Sequence, residues 1–302
     1  MSVVFHCSPT HLKLIVGSAD FNTIKVENFG MFSLPDGAMI NGIITDEETM
    51  IRYLSGIGSD MGVLKQDALL VIDTNSIRSK VMDVPVLPEP KLFEFITRDL
   101  GAFSEGESAD VFDYTVMKAK LPEGGARILA VAVDREILQT YRNTFTSAGF
   151  NLKIINIGVN ALIKLSRILP QLQAGAKVLA VIDDRNLTLS LFEKGEYKIT
   201  NRYRLFNPDD SPEWRQEIGN NISSVMQFHK GQRPEEEISA VYFAGLSAAR
   251  VGALEASLSF LGIEITELDL SSKIKLSGKA AQRSADFEAG KNLLNLGTLL
   301  KK

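Results

Sequence analysis

Apolar and polar positions along the chain alternate between the spacing of strands and the spacing of helices. Residues 12–28 predict an apolar strand, a turn over residues 17–22 and a second, alternating strand. A helix is predicted to begin at Thr45, which forms a capping box with Glu48. Residues 68–84 start apolar and then alternate, which predicts a buried strand followed by an extended segment.

Three prolines, Pro85, Pro88 and Pro90, interrupt that extended segment and indicate a change of subdomain. The pattern that follows predicts one compact unit over residues 84–157. Its expected elements are a helix over 91–103, a strand over 111–120, a turn at Gly124 and Gly125, a strand over 126–133, a helix over 134–149 and a strand over 152–157.

A second strand-rich start follows a predicted helix over residues 160–172. The apolar strand at 177–182 opens a series of strand, turn, strand, turn and strand, which resembles residues 12–28 in order and periodicity. A helix over 213–229, a strand ending in a tight turn at Gly245, another helix and strand, and a terminal helix complete the chain. Two such halves predict a two-lobed α/β protein with a cleft between the lobes.

Composition narrows the class of protein. The 302 residues are 45% hydrophobic and 23% charged, with a formal net charge of -4 and a pI of about 5.6, which is typical of a globular protein and argues against nucleic acid as a partner. One cysteine and three histidines in unrelated surroundings offer neither a metal-ligand spacing nor a catalytic triad. No window of about 18 apolar residues occurs, so we expect a cytoplasmic protein without membrane insertion.

A resemblance to a known family covers nearly the whole chain and is most specific in its middle. Residues 81–116, VMDVPVLPEPKLFEFITRDLGAFSEGESADVFDYTV, contain a strand reaching a proline, a helix, an acidic loop and a strand with Asp113 and Tyr114. Residues 128–165 continue the likeness and include Ala161 in a returning helix. Both stretches resemble the PilM family of type IV pilus assembly proteins and, more distantly, FtsA and the cytoplasmic part of GspL.

The resemblance implies an actin-like fold, a duplicated RNase H-like α/β architecture. Its expected parts are a first lobe of residues 1–83 and 158–176, an FtsA-type inserted subdomain of residues 84–157, and a second lobe of residues 177–302. It also implies an adaptor that binds the cytoplasmic N-terminal tail of a PilN-like inner-membrane protein, together with other pilus assembly proteins, at the inner face of the membrane.

The partner groove would lie beside the inserted subdomain, where an extended peptide could pair with a strand edge. Phe93, Phe95 and Ile96 have helical spacing there, and the pattern favours a core role for them.

An actin-like nucleotide site needs two glycine-bearing turns whose backbone N–H groups face phosphates, with an aspartate near each turn for the metal and water. The sequence predicts the first turn at Gly17 and Ser18, where Ile15 replaces the expected acidic residue. Asp20 lies farther along and is more typical of a solvated turn than of a substitute acid.

The second and third turns are partly preserved. Asp183 is retained, but Arg185 stands where the family has glycine, and either a phosphate contact or a solvated turn would suit it. Gly245 and Ser247 form the adenosine-side turn before a helix. These changes predict no catalytic residues and argue against ATP hydrolysis. ATP binding stays open, and the alternative function is an ATP-binding or weakly hydrolysing actin-like protein, either filament-forming or GspL-like.

Overall fold

The computed structural model describes residues 1–101, 110–122 and 124–301. The acidic loop predicted before Asp113 falls largely on residues 102–109, outside the described residues. The strands are β1 (Ser2–Cys7), β2 (His11–Ala19), β3 (Ile24–Ser33), β4 (Met39–Ile40), β5 (Ile43–Ile44), β6 (Asp67–Ile72), β7 (Arg78–Val84), β8 (Asp110–Lys118), β9 (Ala126–Asp134), β10 (Asn151–Ile157), β11 (Ala176–Asp183), β12 (Asn186–Glu193), β13 (Glu196–Arg204), β14 (Ile238–Ala244), β15 (Glu264–Glu267) and β16 (Ile274–Leu276).

The α-helices are α1 (Glu47–Met61), α2 (Glu89–Gly101), α3 (Arg135–Ser147), α4 (Gly158–Ser166), α5 (Pro212–Gly231), α6 (Ala248–Ser257), α7 (Gly278–Gln282) and α8 (Leu293–Leu299). Two compact units share these elements. Unit 1 contains Met1–Ser33, Ala68–Val71 and the chain from Gly158 onward, and unit 2 contains Leu34–Asp67 and Ile72–Ile157. The three-part division into lobes and subdomain stays a prediction.

Unit 1 contains two sheets with the same local strand order. One sheet contains the neighbours β6-β1-β2-β3-β16. The other, read in the matching direction, has the order β15-β14-β11-β12-β13. Strands β1, β2 and β3 therefore correspond to β11, β12 and β13, and β6 corresponds to β14. In both sheets the opening pair is antiparallel, with Phe5 opposite Leu14 in the first and Ala180 opposite Leu189 in the second. The internal duplication predicted from the sequence is thus present in unit 1.

The starting point of the first repeat was predicted wrongly. The repeat begins with β1 at Ser2, nine positions before β2 begins at His11, and not at Leu12. Gly17 consequently lies inside β2, and the turn comes later, where the Asp20 N–H donates to the Thr23 carbonyl at 2.9 Å. Gly17 is required by a close approach: a Cβ there would lie 2.3 Å from the Lys25 carbonyl oxygen, beside an irregularity in the β2–β3 register.

Helix α8 packs on both β1–β2 and α4 within unit 1. The buried Asn295 side chain donates from Nδ2 to the Val4 carbonyl at 3.0 Å and to the Lys13 carbonyl at 3.2 Å. On α4, Ala161 lies against Gly297 so closely that a Cβ at Gly297 would be 2.3 Å from the Ala161 carbonyl oxygen. The alanine that carried part of the family resemblance is therefore a helix-packing residue.

Unit 2 is built on a three-stranded sheet with the order β7-β9-β8. Helix α2 covers it through Ile96 and Leu100, which belong to one core with Met82 and Ile128. Phe95 packs against this core, and the rings of Phe93 and Tyr114 meet edge to face, with centroids 5.5 Å apart. The core role expected for the apolar side of this helix is confirmed for Ile96, which is fully buried.

The predicted start of α1 differs by one residue. Asp46, not Thr45, is the N-cap: its Oδ1 accepts the Thr49 N–H at 3.0 Å, whereas the Thr45 hydroxyl donates to the Gly37 carbonyl. The bonds from the Thr49 backbone and side chain lower the pKa of Asp46, which keeps the cap ionised. The order of elements predicted for residues 84–157 agrees with α2, β8, β9, α3 and β10.

The buried Cys7 thiol gives a first prediction. Burial raises its pKa to about 12, because desolvation disfavours the thiolate. Since the thiolate is the reactive form, the folded protein should not react with Ellman's reagent at neutral pH, and the same chain in guanidinium should release one equivalent of thionitrobenzoate. Labelling of the folded protein at the rate of the denatured one would contradict the buried position of β1.

Candidate functional site

The turn between β11 and β12 lies at the carboxyl edge of the second sheet. Asp183 pairs with Asn186, so Asp184 and Arg185 form a two-residue hairpin loop. Asp184 has a φ of 57°, a left-handed conformation that Asp adopts more readily than most residues, and Arg185 is exposed. The Arg185 side chain is therefore accommodated in solvent rather than against the sheet.

Asp183 is held by a residue that the sequence analysis did not identify. Lys13 of β2 donates from Nζ to Asp183 Oδ1 at 2.8 Å, across 170 residues of chain. The Lys13 side chain is only 4% exposed, and that of Asp183 is 22% exposed. This ion pair joins the first sheet of unit 1 to the second.

The turn after β14 lies beside Asp183. Strands β11 and β14 are parallel, so their carboxyl ends reach the same edge of the sheet. Gly245 has a φ of 91°, and a Cβ there would lie 2.0 Å from the Ile182 carbonyl oxygen. Ser247 follows as the exposed N-cap of α6, and its side chain makes no capping bond. Of the predicted site residues, Asp183, Arg185, Gly245 and Ser247 are thus brought to one edge.

Gly17 and Ser18 are not at that edge. They lie near the carboxyl end of β2, and four residues of extended strand, about 13 Å, separate Gly17 from Lys13. Because β1–β2 corresponds to β11–β12, the turn equivalent to Asp183–Asn186 is the one from Ser8 to His11. The first-turn assignment is therefore wrong. The SVVFHC strand followed by Ser-Pro-Thr was the sequence signal that could have located this turn.

In the turn from Ser8 to His11, backbone N–H groups donate to acceptors within the turn itself. The Ser8 N–H donates to the His11 carbonyl at 2.9 Å, and the His11 N–H donates to Ser8 Oγ at 3.2 Å. Pro9 has no N–H to donate. Three of the four backbone positions are thus removed from phosphate binding, and a phosphate here could not gain the cradle of N–H groups that such a turn normally supplies.

The residues present do not fit a metal–nucleotide complex. Asp183 already pairs with an ammonium group, and the turn from Ser8 to His11 carries no carboxylate. Gly290 also packs against the third turn, where its Cβ would stand 2.8 Å from the Gly245 nitrogen. The edge has the topology of an actin-like nucleotide site, but the Ser8 and His11 N–H groups of its first turn are bonded within that turn.

The two sheets with matching strand order define the actin-like fold, and comparison with solved structures agrees. A chain of a PilM–PilN type IV pilus biogenesis complex is similar over 99% of this chain and 97% of its own, with 13% identity and a TM-score of 0.81. A Bacteroides thetaiotaomicron protein with an actin-like ATPase fold and unknown function is 8% identical, with 100% and 96% coverage and a TM-score of 0.58.

The cytoplasmic domain of EpsL, an inner membrane component of the type II secretion system of Vibrio cholerae, is 13% identical, with 100% and 95% coverage and a TM-score of 0.51. No family model matches the sequence, and neither does any curated protein. At these identities the comparisons show the fold. The predicted PilM-like, actin-like fold is thereby confirmed.

Proposed function

We propose that this protein is a non-catalytic, cytoplasmic actin-like scaffold of type IV pilus assembly, which binds the cytoplasmic N-terminal tail of a PilN-like inner-membrane protein. The observation that carries the proposal is the match over nearly the full length of both chains to a structure of a PilM–PilN complex. Two further observations favour a binding role over a catalytic one: the Ser8 and His11 N–H groups are bonded within their own turn, and Asp183 is paired with Lys13.

Recruitment to the membrane would come from this partner. In the described part of the chain, no helix combines the length and apolar character needed to cross a bilayer. A tail projecting from a membrane-anchored protein would bring the scaffold to the inner face of the membrane, where other pilus assembly proteins could join it.

A strand edge of unit 2 suits an extended tail. Strand β8 stands at the end of the order β7-β9-β8 and pairs with β9, and an added peptide strand gains main-chain hydrogen bonds along such an edge. Val116 on β8 is apolar yet 45% exposed, which gives the edge an apolar contact for an alternate side chain of the peptide. We place the tail-binding site at β8 within this proposal.

The test is fluorescence polarisation with a labelled synthetic peptide, taken from the cytoplasmic tail of the single-span protein encoded beside this one. Saturable binding is expected, and Val116→Glu should weaken it about tenfold or more, because a carboxylate would have to be desolvated against an apolar peptide side chain.

Phe21→Glu is the matched control: Phe21 is 97% exposed on the β2–β3 turn of unit 1, and its replacement should leave peptide affinity unchanged. Absence of binding to the unmodified protein would overturn the scaffold proposal. Equal loss of affinity in both variants would remove β8 as the site.

A tail from a secretion-system protein serves as a second peptide, since the similarity to the EpsL domain favours that machine as the runner-up.

A further inference from the structure

The Lys13–Asp183 pair has the attributes of a built site rather than of a surface contact. Its 2.8 Å bond joins the two sheets of unit 1, and the lysine side chain is almost completely withdrawn from water. By contrast, Lys194 and Glu235 form a bond of similar length, 2.9 Å, with side chains 59% and 86% exposed. A lysine is seldom buried to this extent unless its charge is compensated.

Lys13 is held by hydrogen bonds at both its side chain and its backbone. Its ammonium group bonds to Asp183, and its carbonyl oxygen accepts a hydrogen bond from the buried Asn295 of α8 at 3.2 Å. Asn295 also bonds to the Val4 carbonyl, so α8, β1 and β2 are tied together at the point where the lysine leaves the sheet. The cation is therefore preorganised toward the carboxylate.

We propose that Lys13 is the resident cation of this edge. Its ammonium group takes the charge-neutralising position beside Asp183 that a metal–nucleotide complex would otherwise need. The Lys13–Asp183 pair thereby holds the two sheets together without any ligand. Three observations agree with this assignment. Asp183 is already neutralised, the turn from Ser8 to His11 spends its N–H groups internally, and Gly290 packs against Gly245. The two sheets should then hold one arrangement whether or not nucleotide is present.

The first arm of the test is ligand binding to the full chain. A ligand that binds the folded state must raise Tm. Because we expect no nucleotide to bind, titration with Mg-ATP and Mg-ADP to millimolar concentration should produce no saturable heat and no rise in Tm. A rise in Tm that disappears in Asp183→Asn would overturn the proposal, since it would show that Asp183 holds the metal of a bound nucleotide.

The second arm measures the coupling between Lys13 and Asp183 by a double-mutant cycle with Lys13→Met and Asp183→Leu. Each single change leaves one buried charge without its partner and should raise the equilibrium constant for unfolding about a hundredfold or more, whereas the double change should recover most of the loss. Lys194→Met, which breaks the exposed pair, should alter that constant about fivefold at most.

The cycle has its own contradicting result. If the stability losses of the two single variants simply add in the double variant, the two side chains do not act as a pair, and the proposed link between the sheets would be rejected. If a single variant does not fold, the Mg-ATP titration of the unmodified protein and of Asp183→Asn decides the proposal. Neither arm uses the peptide, so failure here and failure of the scaffold proposal are distinguishable.

Discussion

Gly245→Ala is expected to lower the free energy of unfolding by about 3 kcal/mol or more. The φ of 91° alone costs an L-residue about 1–2 kcal/mol. The added Cβ would also overlap the Ile182 carbonyl oxygen, at 2.0 Å, and such overpacking costs about 1–3 kcal/mol. Urea unfolding followed by the fluorescence of Trp214, the one tryptophan and a buried residue of unit 1, measures the change.

Gly252 supplies the control for this change. It lies in α6, a few residues after the turn, and a Cβ there would meet no atom within 4 Å. Gly252→Ala should raise stability by about 0.5–1 kcal/mol, because alanine is the better helix former. If Gly245→Ala were as stable as Gly252→Ala, the turn after β14 could not approach Ile182 as described.

Gly297→Val is expected to cost about 3 kcal/mol, near the upper end for overpacked cores. The new Cβ would stand 2.3 Å from the Ala161 carbonyl oxygen and 3.0 Å from the Ala161 Cβ, so the backbones of α8 and α4 would have to separate. That separation would pull Asn295 from the carbonyl groups of β1 and β2. The same Trp214 unfolding curve reports it.

The matched change is Gly252→Val, which puts the same side chain into open space on a helix. Its effect should stay within about 0.5 kcal/mol, since valine and glycine differ little in helix propensity. Equal midpoints for the two valine variants would mean that α4 and α8 are not in backbone contact.

The arrangement of elements in unit 2 could be predicted because each element carries a strong local signal. The prolines from 85 to 90 isolate α2, the glycine pair at 124 and 125 separates two apolar strands, and Gly149 ends the helical pattern. The family resemblance added the actin-like class, which periodicity does not specify. The position of the N-cap was off by one residue because Thr45 and Asp46 are both good capping residues, and only geometry distinguishes them.

The first repeat was misplaced because glycine signals two different things. At Gly245 the residue is needed for a turn, whereas at Gly17 it is needed because Lys25 approaches the strand closely, and a single sequence does not separate these causes. With the turn predicted at Gly17, none is predicted at Pro9, where the structure has it. Lys13 could not be found at all from the sequence, since its partner lies 170 residues away and one lysine in a strand has no distinguishing spacing.

The contact between α8 and the first two strands also bears on how the chain is made. Asn295 follows Val4 by 291 residues, which a ribosome adding about 5–20 residues per second needs about 15–60 s to synthesise. For that interval the apolar β1–β2 hairpin has emerged while the helix that covers it does not yet exist. The N-terminal strands are therefore a part of the nascent polypeptide that needs shielding, for example by a chaperone, until α8 has been made.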